Sequence, residues 1–119
     1  MTALLITLGA AVGAPLRYLT DRAVQARFGT AFPWGTLTVN VAGSLLLGFL
    51  VGVPVPPAVG ALLGTGLCGA LTTYSTFSYE TLRLARTGRR GRALVNALLS
   101  VAATVTAATL GYALARALR

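Results

Sequence analysis

The sequence predicts an all-α membrane protein with four spanning helices, the third of them broken near its middle. Of the 119 residues, 55% are hydrophobic and only 10% are charged, whereas a soluble domain usually has about 25% charged residues. One spanning helix needs about 20 apolar residues, so four spans with short loops fill residues 1–119 as a single domain. The third observation is a run of hydroxyl side chains from Thr72 to Tyr79 inside an otherwise apolar segment.

The first two spans are expected over residues 3–20 and 34–53. Pro15 interrupts the far end of the first span. Pro33 suits the first turn of the second helix, and Trp34 suits the headgroup level of a bilayer. Small residues recur near helical spacing along the second span, which predicts close packing against another helix.

The last two spans are expected over residues 57–82 and 94–115. Residues 53–57 form a short uncharged turn before the third span, and an arginine-rich connector precedes the fourth. We expect the chain to be retained whole in the inner (plasma) membrane, since no basic region or cleavage site marks the first span as a signal peptide.

The charges exclude several functions. Ten arginines against Asp21 and Glu80 leave a net charge of +8, yet the arginines flank apolar spans, so we expect a lipid bilayer and no nucleic acid as partner. Histidine is absent, and no nucleophile–base pair or metal-ligand set is evident, so an enzyme is not expected.

The arginines are also unevenly distributed between the two sides of the predicted bundle. Seven lie on the side of the 1–2 and 3–4 connectors and two, Arg116 and Arg119, lie at the opposite end. The positive-inside rule then places the connectors in the cytoplasm and both termini outside.

Polar side chains inside the spans are candidates for function. Asn40 lies in the middle of the second span, where its amide must be bonded, either to another helix or to a permeating anion. Asn96, Ser100 and Thr104 stack on one face of the fourth span, and either packing or a wet path explains them. Arg17, near the end of the first span, is expected to snorkel, to contact another helix or to attract anions.

The third predicted span contains the largest number of residues that indicate a functional site. Glycines and hydroxyl residues weaken the helix, and a broken helix at membrane depth is tolerated where its backbone lines a cavity or binds an ion. Freed carbonyls suit a cation such as Na⁺, whereas helix N-termini and hydroxyl donors suit an anion. Tyr74 and Phe77 share one face, either as core aromatics or as rings with electropositive edges beside an anion.

Three motifs in this order resemble the Fluc/CrcB family of fluoride ion channels, and the resemblance covers the whole chain. They are residues 13–18 (Gly-Ala-Pro-Leu-Arg-Tyr), residues 34–44 around Asn40, and residues 69–80 with their Thr-Thr-Tyr-Ser-Thr-Phe-Ser run. The third motif is highly specific, whereas the glycine and asparagine motifs alone are weak.

The resemblance implies passive efflux of fluoride from the cytoplasm through an antiparallel, dual-topology dimer. It implies two pores along the dimer interface and a structural Na⁺ at the centre, held by carbonyls that match Gly69 and Thr72. The residues that match the fluoride pathway are Asn40, Tyr74, Ser75, Thr76, Phe77, Ser100 and Thr104. Arg17 is expected in the anion vestibule or in a structural role.

Two features depart from the family pattern. Tyr74 stands where members commonly have phenylalanine, and its hydroxyl adds a donor or a steric plug. The arginine bias favours one orientation, so the partner is either a second copy or an oppositely oriented paralogue. The competing hypotheses are a proton-coupled exporter of drugs or cations, which needs an intramembrane carboxylate, and a packing subunit without transport activity.

Overall fold

The computed structural model of the protein describes residues 1–118, and within them all regular secondary structure is helical. The elements are α1 (Thr2–Phe28), α2 (Trp34–Gly52), α3 (Pro57–Val59), a π-helical segment (Gly60–Cys68), α4 (Gly69–Leu71), α5 (Ser75–Arg86) and α6 (Arg90–Leu118).

Helices α1, α2 and α6 are long and apolar enough to cross a membrane, with mean hydropathies of 1.4, 1.6 and 1.8. Much of their apolar surface faces outward: Val12, Val51 and Leu98 are all more than half exposed. A soluble protein rarely exposes large contiguous apolar patches. The protein is therefore a membrane protein built from helices.

Helix α1 is longer than expected. Pro15 lies inside it, and the helix continues to Phe28 instead of ending near residue 20. Proline removes one backbone donor, and spanning helices tolerate that loss when neighbouring helices support the backbone. Gly29, with φ of 81°, ends the helix and returns its N–H to the carbonyl of Gln25.

The connector before the last helix is shorter than expected. Helix α5 continues to Arg86 and α6 already begins at Arg90 rather than near residue 94. Gly88, with φ of 80°, reverses the chain, and the N–H of Arg89 donates to the carbonyl of Leu84 over 2.9 Å. This 6→1 bond is characteristic of a Schellman helix end. The arginines of the connector therefore lie mostly on helix ends.

Glycines allow the helices to pack closely. A Cβ at Gly48 would collide with the carbonyl oxygen of Ala108, and a Cβ at Gly111 would collide with that of Leu45. Helices α2 and α6 run parallel and meet along this seam, where the small residues let their backbones approach. In the same way, Gly9 brings α1 against the π-helical segment at Leu62.

The segment predicted as the third span is divided into two helical parts. Residues 57–71 are helical throughout, Thr72 is extended with ψ of 157°, and α5 begins at Ser75. Residues 72–74 therefore form a short non-helical stretch in the region where the sequence concentrates its hydroxyl groups. The candidate site is organised around this stretch.

Candidate functional site

Asn40 of α2 holds the non-helical stretch. Its Nδ2 donates to the carbonyl of Thr73 over 3.0 Å, and its Oδ1 accepts from the N–H of Thr73 over 2.7 Å. A backbone group that leaves a helix in apolar surroundings must find another partner. One amide satisfies both polar backbone groups of Thr73, so Asn40 joins two helices at the break.

The side chains of the stretch satisfy the adjoining helix ends. The Thr73 hydroxyl accepts from the N–H of Thr76 over 3.2 Å, as a capping hydroxyl does at a helix start. It also lies 3.4 Å from the hydroxyl of Ser75. At the other end, the Thr72 hydroxyl and its N–H both donate to the carbonyl of Cys68, over 2.8 and 3.0 Å. Specific hydrogen bonds of Thr72 and Thr73 therefore stabilise the interruption.

Several carbonyls beside the break lose their ordinary helical donors as a result, and those of Gly69 and Thr72 are among them. In an uninterrupted α-helix the carbonyl of Gly69 would accept from the N–H of Thr73, which donates here to Asn40. The carbonyl of Thr72 would accept from Thr76, whose N–H donates to the Thr73 hydroxyl. A Cβ at Gly69 would meet no atom within 4 Å. The break thus frees the carbonyls of Gly69 and Thr72 from the helix, and Gly69 faces open space.

A cleft of about 390 Å³ opens beside the break. Seven of the predicted site residues line it: Asn40, Gly69, Thr72, Tyr74, Phe77, Ser100 and Thr104. The other lining residues are Gly43, Ser44, Leu47, Gly64, Cys68, Thr73 and Val101. None of these side chains carries a formal charge at neutral pH.

The two aromatic rings of the cleft differ in exposure. Tyr74 is 81% exposed and Phe77 is half-buried. Their ring centroids are 6.1 Å apart and their planes are tilted by 42°, so the two rings are not stacked face to face. Ring edges are the electropositive parts of such side chains. A core pair would be buried, so the exposure of Tyr74 favours a surface or lining position.

The polar stripe of α6 divides between packing and the cleft. Asn96 is only 2% exposed and donates to the Thr81 hydroxyl of α5 over 2.8 Å. Ser100 reaches Asn96 Oδ1 over 3.4 Å, and the Thr104 hydroxyl returns to the carbonyl of Ser100 over 2.7 Å. The first residue of the stripe therefore holds two helices together, while Ser100 and Thr104 also line the cleft.

A second, smaller cavity of about 160 Å³ lies on the other side of the break. Its lining includes the predicted residues Arg17 and Thr76 together with Tyr18, Asp21, Thr36, Val39 and Thr73. Thr73 lines both cavities. Ser75 lines neither, and its side chain is exposed at the start of α5.

Both acidic side chains lie toward the second cavity: Asp21 lines it, and Glu80 is bonded to Thr36, which lines it too. Thr36 donates to Glu80 Oε1. Gln25 donates to Asp21 Oδ2 over 2.9 Å, and Asp21 Oδ1 packs against Gly35 without a hydrogen-bond partner. Among residues 1–118, no three His, Cys, Asp or Glu side chains come together as a metal site would require.

Sequence reasoning missed Thr73 as a site residue. The Thr-Thr pair that begins the hydroxyl run was visible. Which of the two threonines faces Asn40 depends on how α2 is placed against the break, and a contact across 33 residues is not encoded in local spacing.

Comparison with known proteins identifies the family of the chain. The model of the CrcB-like protein (camphor resistance) family matches residues 4–112. A "Fluoride-specific ion channel FluC 1" of Frankia casuarinae is 62% identical, with 98% of each chain covered. Proteins named FluC 1 of Streptomyces avermitilis and FluC 2 of Rhodococcus jostii are 57% and 50% identical, over 99% and 96% of this chain and 98% of each relative. The chain therefore belongs to the CrcB/Fluc family, which its three motifs resemble.

Proposed function

We propose that this protein is a fluoride-selective channel through which fluoride leaves the cytoplasm passively, which lowers its toxicity. The observation that carries the proposal is the cleft beside the break, which combines neutral hydrogen-bond donors with ring edges and contains no charged side chain. Relatives over almost the whole chain bear the name of such a channel. Family membership also agrees with the expectation that the protein is not an enzyme.

The chemistry of the cleft suits a small, strongly hydrated anion. One hydrogen of Asn40 Nδ2 is used by Thr73, and the amide has a second one. That hydrogen and the edges of Tyr74 and Phe77 are donors that can replace water around fluoride, and Ser100, whose hydroxyl donates to Asn96 Oδ1, lines the same cleft. A fixed positive charge would hold the ion too tightly, because conduction needs binding weak enough for release.

We place the remaining pathway residues on the other side of Thr73. Thr76 and Arg17 line the second cavity, and Ser75 lies at the exposed start of α5. An arginine beside a cavity raises the local concentration of anions. Arg17 therefore serves as a vestibule residue, and Thr73, which lines both cavities, lies between the vestibule and the cleft.

A second subunit completes the pathway in this proposal. The cleft is open at the surface of the single chain, and Tyr74 there is 81% exposed. An antiparallel dimer in the inner membrane would cover this face, with α3 to α5 crossing the bilayer as one interrupted span. The partner is a second copy or an oppositely oriented paralogue. A cysteine at Arg89 in a Cys68→Ala background distinguishes them: labelling from both sides of the membrane supports dual insertion, and labelling from one side supports a paralogue.

The residues also fit a structural Na⁺ at the dimer centre. The carbonyls of Gly69 and Thr72 lack the helical donors they would otherwise have, and carbonyl oxygens are ligands for hard cations. Gly69 faces open space on the side where the partner would lie. A sodium ion bound there would supply positive charge for carbonyl oxygens of both subunits. The break in each chain keeps the carbonyls of Gly69 and Thr72 available as ligands.

A proton-coupled exporter is the rival transport function. It needs a titratable carboxylate on the substrate path. Neither Asp21 nor Glu80 lines the main cleft, although Asp21 lines the second cavity beside Arg17. Purified protein in proteoliposomes loaded with potassium fluoride separates the two hypotheses. We expect efflux down the fluoride gradient at equal pH on both sides. Efflux that requires a proton gradient would support the exporter, and no efflux above empty vesicles would contradict the channel.

A further inference from the structure

Seven arginines form an exposed surface at one end of the molecule, here called the arginine surface. Its members are Arg22 and Arg27 of α1, Arg83 and Arg86 of α5, Arg89 of the connector, and Arg90 and Arg92 of α6. The ends of α1 and α5 and the start of α6 lie on the same side because the chain alternates direction between its spans.

Most of these charges have no acidic partner. The chain has two carboxylate side chains, Asp21 and Glu80, and they are engaged with Gln25 and Thr36. Arg83 faces Glu80. For Arg86, Arg89, Arg90 and Arg92, no ion pair is formed within residues 1–118. These positive charges repel one another, and anions from outside the chain would reduce that repulsion.

Stabilisation of helix ends does not explain the arrangement. Arg83 and Arg86 in the last turn of α5 interact favourably with its dipole. Arg90 and Arg92, however, lie in the first turn of α6, where no acidic residue is present and the dipole is also positive. The Schellman turn at Gly88 nevertheless joins the arginines of α5 and those of α6 in one helical hairpin. Arg90 and Arg92 therefore lie where the end of α6 gains nothing from their charge.

The depth of the hairpin matches that of lipid phosphates. Helices α2 and α6 run parallel with Gly48 against Ala108 and Gly52 against Ala115, so a residue between 94 and 97 lies level with Trp34. At 1.5 Å per residue, Arg90 and Arg92 lie about 3–11 Å beyond that level. Trp34 is 41% exposed, and tryptophan favours the boundary just below the headgroups.

We propose that the arginine surface binds the anionic headgroups of phospholipids in the adjacent leaflet. Arginine forks bind phosphate oxygens in pairs, and basic groups next to a spanning helix are attracted by anionic lipids. In a dimer of antiparallel copies, each leaflet would receive one such surface. This inference does not depend on which ion the cleft conducts.

Trp34 is the single tryptophan and gives a direct test. The full-length protein is reconstituted into mixtures of dioleoylphosphatidylcholine with brominated phosphatidylglycerol, and quenching of Trp34 is compared with that by brominated phosphatidylcholine. We expect preferential quenching by the anionic lipid, by about five-fold or more, which falls in 0.5 M salt because exposed charges are screened. Equal quenching by the two lipids would overturn the proposal.

Two variants that each remove two positive charges locate the effect. R89Q/R90Q should reduce the preference several-fold, whereas R116Q/R119Q, at the C-terminal end of the sequence, should leave it unchanged. An equal loss in both variants would overturn the proposal. Inorganic phosphate at 10 mM is added as a competitor; full displacement of the lipid preference at constant ionic strength would indicate a site for free anions and would also overturn it.

Discussion

The side chain of Asn40 pairs with both polar backbone groups of Thr73, 33 residues away, through bonds of 3.0 and 2.7 Å. This pairing keeps residues 72–74 out of the helix, and it simultaneously releases the carbonyl of Gly69 and leaves one amide hydrogen of Asn40 for the cleft. Structure and the proposed conduction therefore depend on the same side chain.

Replacing Asn40 by aspartate should stop conduction. The Asn40→Asp side chain still accepts from the N–H of Thr73, but it loses the donor to the Thr73 carbonyl and adds a negative charge to an otherwise uncharged cleft. We expect fluoride efflux from proteoliposomes to fall at least about 100-fold, since a buried like charge costs several kcal/mol. Thr38→Val, an exposed change on the same helix, is the control. Normal efflux through Asn40→Asp would show that Asn40 does not line the pathway.

Removing the aromatic edge at position 77 should have a similar effect on flux without loss of assembly. Phe77→Ile keeps an apolar side chain of comparable size but has no electropositive ring edge. We expect efflux near that of empty vesicles while the elution volume of the purified protein stays unchanged. Phe28→Ile, at the exposed end of α1, controls for the loss of a phenylalanine. Unchanged efflux in Phe77→Ile would remove this ring from the pore.

The bond between Asn96 and Thr81 should be structural and independent of conduction. Thr81→Val leaves the buried Asn96 amide without its acceptor, which costs about 1–3 kcal/mol. Unfolding in increasing dodecyl sulfate, followed by circular dichroism, measures this loss. Thr109→Val is the matched control, because Thr109 is exposed and its hydroxyl bonds only to its own helix at Val105. Similar stability of the two variants would contradict the assigned role of Asn96.

Much of this architecture was predictable from the sequence. The apolar composition indicated a helical membrane protein, because this signal is local. The hydroxyl run includes residues 72–74, which lie outside the helices. The extension of α1 from residue 20 to Phe28 was not predicted, since apolar sequence marks only the part of a helix that crosses the membrane. The π-helical form of residues 60–68 was also missed. Its backbone packs against α1 at Gly9, and sequence spacing does not encode that contact.

The site was predicted less completely than the fold. Asn40, Phe77 and Thr104 line one cleft, and their role in a fluoride pathway stays a prediction. Spacing within one helix placed Ser100 and Thr104 on one face correctly. The division of the predicted residues between two cavities, with Thr73 on both, depends on the relative placement of helices and became visible only in three dimensions.

Withdrawal of sodium tests the proposed central cation. If the carbonyls of Gly69 and Thr72 hold Na⁺ between two subunits, replacing Na⁺ by N-methyl-D-glucamine should weaken dimerisation. The dimer fraction, measured by cross-linking of purified protein in detergent, should fall several-fold and recover when Na⁺ is restored. Li⁺ and K⁺ at equal ionic strength control for general salt effects. A dimer fraction that is the same in all four cations would contradict the sodium site.

The central claim is that the uncharged cleft conducts fluoride selectively. Proteoliposomes loaded with equal concentrations of potassium fluoride and potassium chloride, with valinomycin added to carry potassium, allow both anions to be followed by ion-selective electrodes. We expect rapid release of fluoride at equal internal and external pH, with chloride retained as in protein-free vesicles. Release of both anions at similar rates, or of neither, would contradict the account.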